Sequence, residues 1–155
     1  MVSAGQASEI IQSNLYDPKK ETVHLEDAVG KVLAVKVFSD RDFPPFDRVA
    51  MDGLAIAYAS WRNGQREFLI ESVQAAGEPQ KVLQDISHGI EIMTGAILPQ
   101  GTDVIVRYED LIIENGSATV NSSEIQHHQN IHRRAQDAVK GESLLEPGII
   151  ISPAE

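Results

Sequence analysis

The chain has 155 residues, enough for a real core, with a formal charge of −10, 42% apolar and 23% charged residues. No run approaches the roughly 18 apolar residues of a membrane span, and the acidic balance argues against nucleic acid or an anionic membrane as main partner. Cysteine is absent, which removes disulfides, zinc-thiolate sites and thiol nucleophiles, so any metal is held by oxygen or imidazole. With no basic and apolar leader at the N-terminus, a cytoplasmic protein is the expectation.

In chain order, Ser3 and Gln6 have the form of a capping box. Ala4, Ala7, Ile10, Ile11 and Leu15 recur at helical spacing, which predicts a helix over about 4–15 stopped by Asp17-Pro18. Its apolar stripe needs a partner surface. Further on, 26–29 reads as one helical turn closed by Gly30, and 32–38 reads as a strand.

The stretch DFPPFDRVAMDGLA, 42–55, sits between two apolar runs. Adjacent Pro44 and Pro45 fix φ and remove two backbone donors, so it reads as a stiff loop. Asp52-Gly53 is a turn signal and presents a carboxylate from a rigid support, although a solvated turn acid has the same spacing. Beyond it, alternation predicts a strand with Leu54, Ile56 and Tyr58 on one face and small Ala55, Ala57 and Ala59 on the other. The segment 61–65 reads as a turn, followed by a strand over 67–74.

The middle third reads as β, punctuated by glycine. A break at 77–79 precedes a short apolar run over 90–93, ending in Thr94-Gly95-Ala96. A turn at 98–101 leads to a strand over 103–108, and 111–120 forms a hairpin around Glu114-Asn115-Gly116. Closely spaced turn signals favour a sandwich or barrel-like β domain over alternating α/β. Ser152-Pro153-Ala154-Glu155 has the form of a helix start, and the expectation is that more chain follows.

Four clusters offer chemistry. Asp40, Asp42, Asp47 and Asp52, interleaved with Arg41 and Arg48, supply carboxylates for Mg²⁺; the first three equally fit a charge-balanced loop. Met93-Thr94-Gly95-Ala96 places a hydroxyl beside flexible backbone, as oxyanion binding needs and as an ordinary strand-to-turn transition also supplies. Arg133-Arg134-Ala135-Gln136-Asp137 sets two guanidinium groups near an acid, suited to an oxoanion or to a structural ion pair. His127, His128 and His132 have the spacing of a metal box in a polar stretch, where a solvated loop is the favoured reading.

The segments DFPPFDRVAMDGLAIA, GEP, EIMTGAILPQGTDVIVRYED and RRAQDAVKGESLLEPG, in that order, resemble the N-terminal half of the molybdopterin molybdotransferase family (MoeA and the gephyrin E domain). The resemblance implies a mainly β fold with a few short helices: an N-terminal helix (1–17), an elongated α+β dimerisation domain of two segments (18–40 and 142–155), and an inserted barrel-like β-rich domain (41–141). It implies insertion of molybdenum from molybdate into adenylylated molybdopterin with Mg²⁺, AMP being released, in a homodimer whose cleft is shared between subunits and completed by a downstream α/β domain.

The family's functional positions fall on Asp52 and Asp137, expected to be catalytic and to hold Mg²⁺, and on Thr94, expected to bind substrate. Three places depart from the family's pattern: Arg48-Val49 in place of Asn-Ser, Leu54 in place of an aromatic, and Ala135-Gln136 in place of Gly-Glu. A non-catalytic dimeric scaffold of the same family is the alternative reading.

Overall fold

The structure, a computed structural model, describes residues 2–16 and 18–155. They fall into two compact units, one formed by residues up to Val37 together with Leu145–Glu155, the other by Phe38–Leu144. The expected boundaries lie a few residues further inward on the chain. The crossings occur in two short paired strands, β1 (Val37–Phe38) and β10 (Ser143–Leu145).

In the first unit, α1 (Ala4–Ser13) starts with the capping box: the Gln6 amide donates to Ser3 Oγ and the Ser3 amide donates to Gln6 Oε1 at 3.0 Å. The helix ends before Leu15. Its last carbonyls are taken by local side chains, Ser13 Oγ donating to Glu9 and Asn14 Nδ2 to Ile10, which offers the backbone an alternative to another turn. Asp17 of the expected stop lies outside the described residues. None of the residues of α1 is buried; Ile10 and Ile11 are 55% and 64% exposed, so the apolar stripe is uncovered.

The strand expected over 32–38 is interrupted. Val32 pairs with Ile150, and Leu33 exchanges backbone bonds with Ile149 and Gly148, but the ladder resumes only at Val37. The opposing segment turns at Pro147-Gly148, so no partner backbone is in register for the residues between. At the C-terminus, the Ser152 amide and hydroxyl donate to Glu155 and the Ala154 amide donates to Ser152 Oγ, a helix-start arrangement.

The second unit is built on a six-stranded sheet of β3 (Gly53–Ile56), β4 (Glu67–Gln74), β5 (His88–Ile92), β6 (Val104–Arg107), β7 (Leu111–Glu114) and β8 (Ser117–Val120), in the order β6-β3-β5-β4-β8-β7. β4 and β5 are parallel and the other neighbours antiparallel. The hairpin between β7 and β8 turns through Asn115 and Gly116, both at positive φ (51° and 81°), the geometry an Asn-Gly pair is suited to. The parallel pair was not legible in the sequence. Its crossover, 75–87, is irregular chain anchored to the 98–101 turn by Leu83 and Gln100 backbone bonds.

β3 is buried on both faces, and its alternation assigns each residue to a cluster. Leu54 and Ile56 join Phe68, Val104, Val106, Ala118, Val120 and Ile125; Ala55 joins Val49, Ile92, Ala96, Leu98 and Ile105. The strand stops at Ile56 rather than running on through Tyr58. Asp103 Oδ1 accepts the Tyr58 amide at 2.6 Å and α2 (Tyr58–Arg62) begins there, so a cap from a distant residue ends the strand.

Candidate functional site

Asp52 directly precedes β3, Thr94 lies two residues beyond the end of β5, and Tyr108 follows β6. Because Gly53 is in register with Ile92 on one side and Arg107 on the other, the sheet brings these three to one end. Asp52 is exposed at a bend. Its Oδ1 accepts both the Thr94 amide and the Thr94 hydroxyl, each at 2.6 Å, and these bonds hold its carboxyl below the usual range, the hydroxyl contributing most. Oδ2 accepts no hydrogen bond from the described residues. Rotation of the carboxylate is thus restricted while one oxygen faces solvent.

Beside it the Tyr108 hydroxyl donates to Glu91, and the Tyr108 amide donates to the Asp52 carbonyl at 3.3 Å. Burial, then the bond to Glu91 and the charges of Glu91 and Asp52, push the Tyr108 phenol well above its ordinary range, so it remains a donor. Sequence reasoning missed this pair. The available signal was Glu91, a charge in the middle of the apolar run Ile90-Glu91-Ile92.

The proline loop is held as the sequence suggested. The Phe43–Pro44 peptide is cis, and the loop is bound to 133–140: Phe43 and Ala138 exchange backbone bonds, the Asp137 amide donates to the Phe43 carbonyl at 2.9 Å, and the Ala135 amide donates to the Pro44 carbonyl. Asp42 accepts Arg134 Nε and the Lys140 amide, Asp47 accepts the Arg134 amide, and Asp40 pairs with Arg41. Asp42, Asp47 and Arg134 therefore tie the loop to the 134–140 segment, while Asp40 and Arg41 form an exposed pair of neighbours.

Asp137 is approached from the other side of β2 (Arg48–Val49). Val49 bonds Gly95 and Ala96 along one edge, while along the other β2 pairs with β9 (Ile131–His132), Arg48 opposite His132. His132 Nε2 lies 2.8 Å from Asp137 Oδ1, and its Nδ1 lies 3.3 Å from the Arg48 guanidinium. A guanidinium only donates, so Nδ1 accepts, the proton sits on Nε2, and His132 donates to Asp137. Asp137 itself is 56% exposed.

The other histidines are occupied elsewhere. His127 Nε2 bonds Asp103 Oδ2, and its ring stacks between Tyr58 and His128. Burial, then the Arg133 and His127 charges, hold His128 below the ordinary imidazole range. These rings are partnered rather than simply solvated, and they do not converge: among the described residues no group of three His, Asp or Glu is placed to hold a metal ion.

Ala135 occupies the left-handed region at φ 60°, where a glycine would be unstrained. The backbone at this departure thus has the conformation that glycine favours. Ala135→Gly is expected to stabilise the chain by about 1 kcal/mol, the strain relieved exceeding the added freedom of the unfolded chain, read as a raised urea midpoint at constant slope.

A β-rich unit with Asp52, Thr94 and Tyr108 at one end of its sheet, together with a second unit made from both chain ends, defines a bipartite, mainly β module. The crystal structure of the molybdopterin biosynthesis moeA protein from Pyrococcus horikoshii OT3 is similar, with a TM-score of 0.88 and 28% identity over 99% of this chain and 42% of that one. The profile of the MoeA N-terminal region (domain I and II) matches residues 2–155, and the chain belongs to that family.

Among curated relatives, the molybdopterin molybdenumtransferase of Synechocystis sp. is 37% identical over 147 residues, spanning 94% of this chain and 38% of the relative. That of Haemophilus influenzae is 29% identical over 155 residues, spanning 99% and 38%. The chain spans about two fifths of the length of the curated relatives it matches.

Proposed function

We propose that this chain is the N-terminal part of a molybdopterin molybdenumtransferase, which inserts molybdenum from molybdate into adenylylated molybdopterin and releases AMP. The observation that carries the reading is the Asp52–Thr94 pair: the MDG and MTGA segments that matched the family in sequence meet at the sheet end in one doubly hydrogen-bonded carboxylate. Asp52 serves as a catalytic residue and is oriented by Thr94, whose hydroxyl proton is directed at Asp52 and whose lone pairs are left to accept from substrate. Asp137, fixed by its own amide and by His132, is the second catalytic carboxylate.

The residues fit Mg²⁺. An exposed carboxylate with one oxygen immobilised and the other open is the donor this ion takes, and one or two such groups suffice when substrate and water complete its shell. Bound there, Mg²⁺ supplies positive charge to the oxyanions of the substrates. Asp52 and Asp137 are the residues that would hold it. Without a cation between them these acids would repel molybdate.

The uncovered apolar stripe of α1, and the account of the family's cleft as shared between subunits, support a homodimer, with the α/β wall contributed by chain beyond the matched two fifths. The absence, among the described residues, of a helix long and apolar enough to cross a membrane is compatible with the expected cytoplasmic location.

The test places residues 2–155 in the Synechocystis relative in exchange for its matching segment, and measures Mg²⁺-dependent AMP release from adenylylated molybdopterin. Turnover is expected, and Asp52→Ala and Asp137→Ala are each expected to lower it about a hundredfold or more. A folded, dimeric chimera without turnover would overturn the catalytic reading in favour of a dimeric scaffold, while turnover indifferent to both substitutions would remove the assigned roles.

A further inference from the structure

Arg48 is exposed on β2, and its guanidinium is directed onto the imidazole of His132 rather than onto an acid. Of the other arginines of this unit, Arg41, Arg107 and Arg134 are neutralised by Asp40, Asp110 and Asp42, whereas Arg66 lies over the Trp61 ring and Arg62 and Arg133 form no ion pair among the described residues. Arg48 makes no such ion pair among the described residues, although Asp137 is one ring away. His132 explains this. Its lone pair on Nδ1 anchors one N–H of Arg48 while its Nε2–H occupies Asp137 Oδ1, so the ring separates a cation from the acid that would otherwise quench it. The remaining N–H groups of the guanidinium form a planar fork free to meet a tetrahedral oxoanion. In a chain of net charge −10, an unquenched cation beside a reactive carboxylate answers the repulsion that an anionic substrate would meet.

We propose that Arg48, aimed by His132 and kept by it from pairing with Asp137, is a binding residue for a tetrahedral oxoanion at this site. The inference rests on the molybdenum-insertion reading for the identity of the anion, which is either molybdate or a phosphate of the adenylylated pterin. His132 is the positioning residue, since it acts through Arg48 and Asp137.

The experiment uses the 155-residue chain at fixed ionic strength, titrated separately with sodium molybdate and with inorganic phosphate, following the Arg48 Nε–H and His132 ring resonances by NMR. At least one anion is expected to give saturable shifts, weakened about tenfold in Arg48→Gln and largely kept in Arg48→Lys. His132→Ala, which lets Arg48 turn to Asp137, is expected to weaken it similarly with the fold intact. Preference for molybdate assigns the metal oxoanion; preference for phosphate assigns the nucleotide end.

Equal affinity in the parent chain and Arg48→Gln, or no saturable shift with either anion, would overturn the proposal. An inactive chimera with Arg48-dependent titration would remove the enzyme reading and leave the anion contact standing; an active chimera with Arg48-independent titration would do the reverse.

Discussion

Gly53→Ala is expected to unfold the protein or destabilise it by about 4 kcal/mol or more. A Cβ built on Gly53 would lie 1.9 Å from the Val106 carbonyl oxygen and 2.8 Å from its carbon, so the obstacle is backbone rather than a side chain that could rotate aside. The contact arises because β3 is hydrogen-bonded to β6 at this point, with Gly53 opposite Arg107 and φ at +156°. Relief requires parting β3 from the edge strand β6, and the residues of both are almost wholly buried.

Far-UV circular dichroism and a urea titration check this, and a midpoint near that of the parent chain would contradict it. Gly89→Ala provides a milder comparison. There the added Cβ would meet the side chain of Leu54 at 2.8 Å, and a side chain can shift; the expected cost is about 1–3 kcal/mol.

Thr94→Val is expected to lower AMP release by the chimera about tenfold or more while leaving the fold intact, with Thr94→Ser close to the parent. Valine keeps the shape of threonine and removes the hydroxyl that donates to Asp52 Oδ1, while the Thr94 amide still donates. The carboxylate then loses the larger of the two causes of its depressed pKa, which should rise toward the ordinary aspartate value.

A carboxyl depressed in the folded state binds fewer protons there than in the unfolded chain. Its contribution is therefore complete above the unfolded value of about 3.9 and is lost as pH falls through the folded value. In Thr94→Val this acid-range loss is expected to be smaller, read by carbon-detected titration of Asp52 together with unfolding midpoints between neutral and acid pH. Lost turnover with an unchanged Asp52 titration would detach Thr94 from the orienting role.

Much of the molecule was legible in the residue order. Periodicity located the cores of β3, β4 and β6. Asn115-Gly116 gave the β7–β8 hairpin, because only a few residues accept two consecutive positive φ values. The capping box gave the start of α1, and the double proline gave a stiff loop. These are local matters, fixed by sterics within a few bonds.

What the sequence left open depends on contacts between residues far apart along the chain. The end of β3 at Ile56 is set by Asp103 capping the Tyr58 amide, and the break in the strand expected over 32–38 is set by a turn in a segment more than a hundred positions away. Periodicity cannot report either. The site follows the same division: the MDG and MTGA segments and the acid after the tandem arginines were visible as motifs, so Asp52, Thr94 and Asp137 could be singled out.

Only the tertiary structure showed that Asp52 and Thr94 are partners, that Arg134 belongs to the loop tie with Asp42, and that His132 stands between Arg48 and Asp137. The sequence by itself determined which side chains have the chemistry. The pairing of strands across long separations decided which of them meet, because hydrogen-bond register, unlike residue type, is a property of two segments at once.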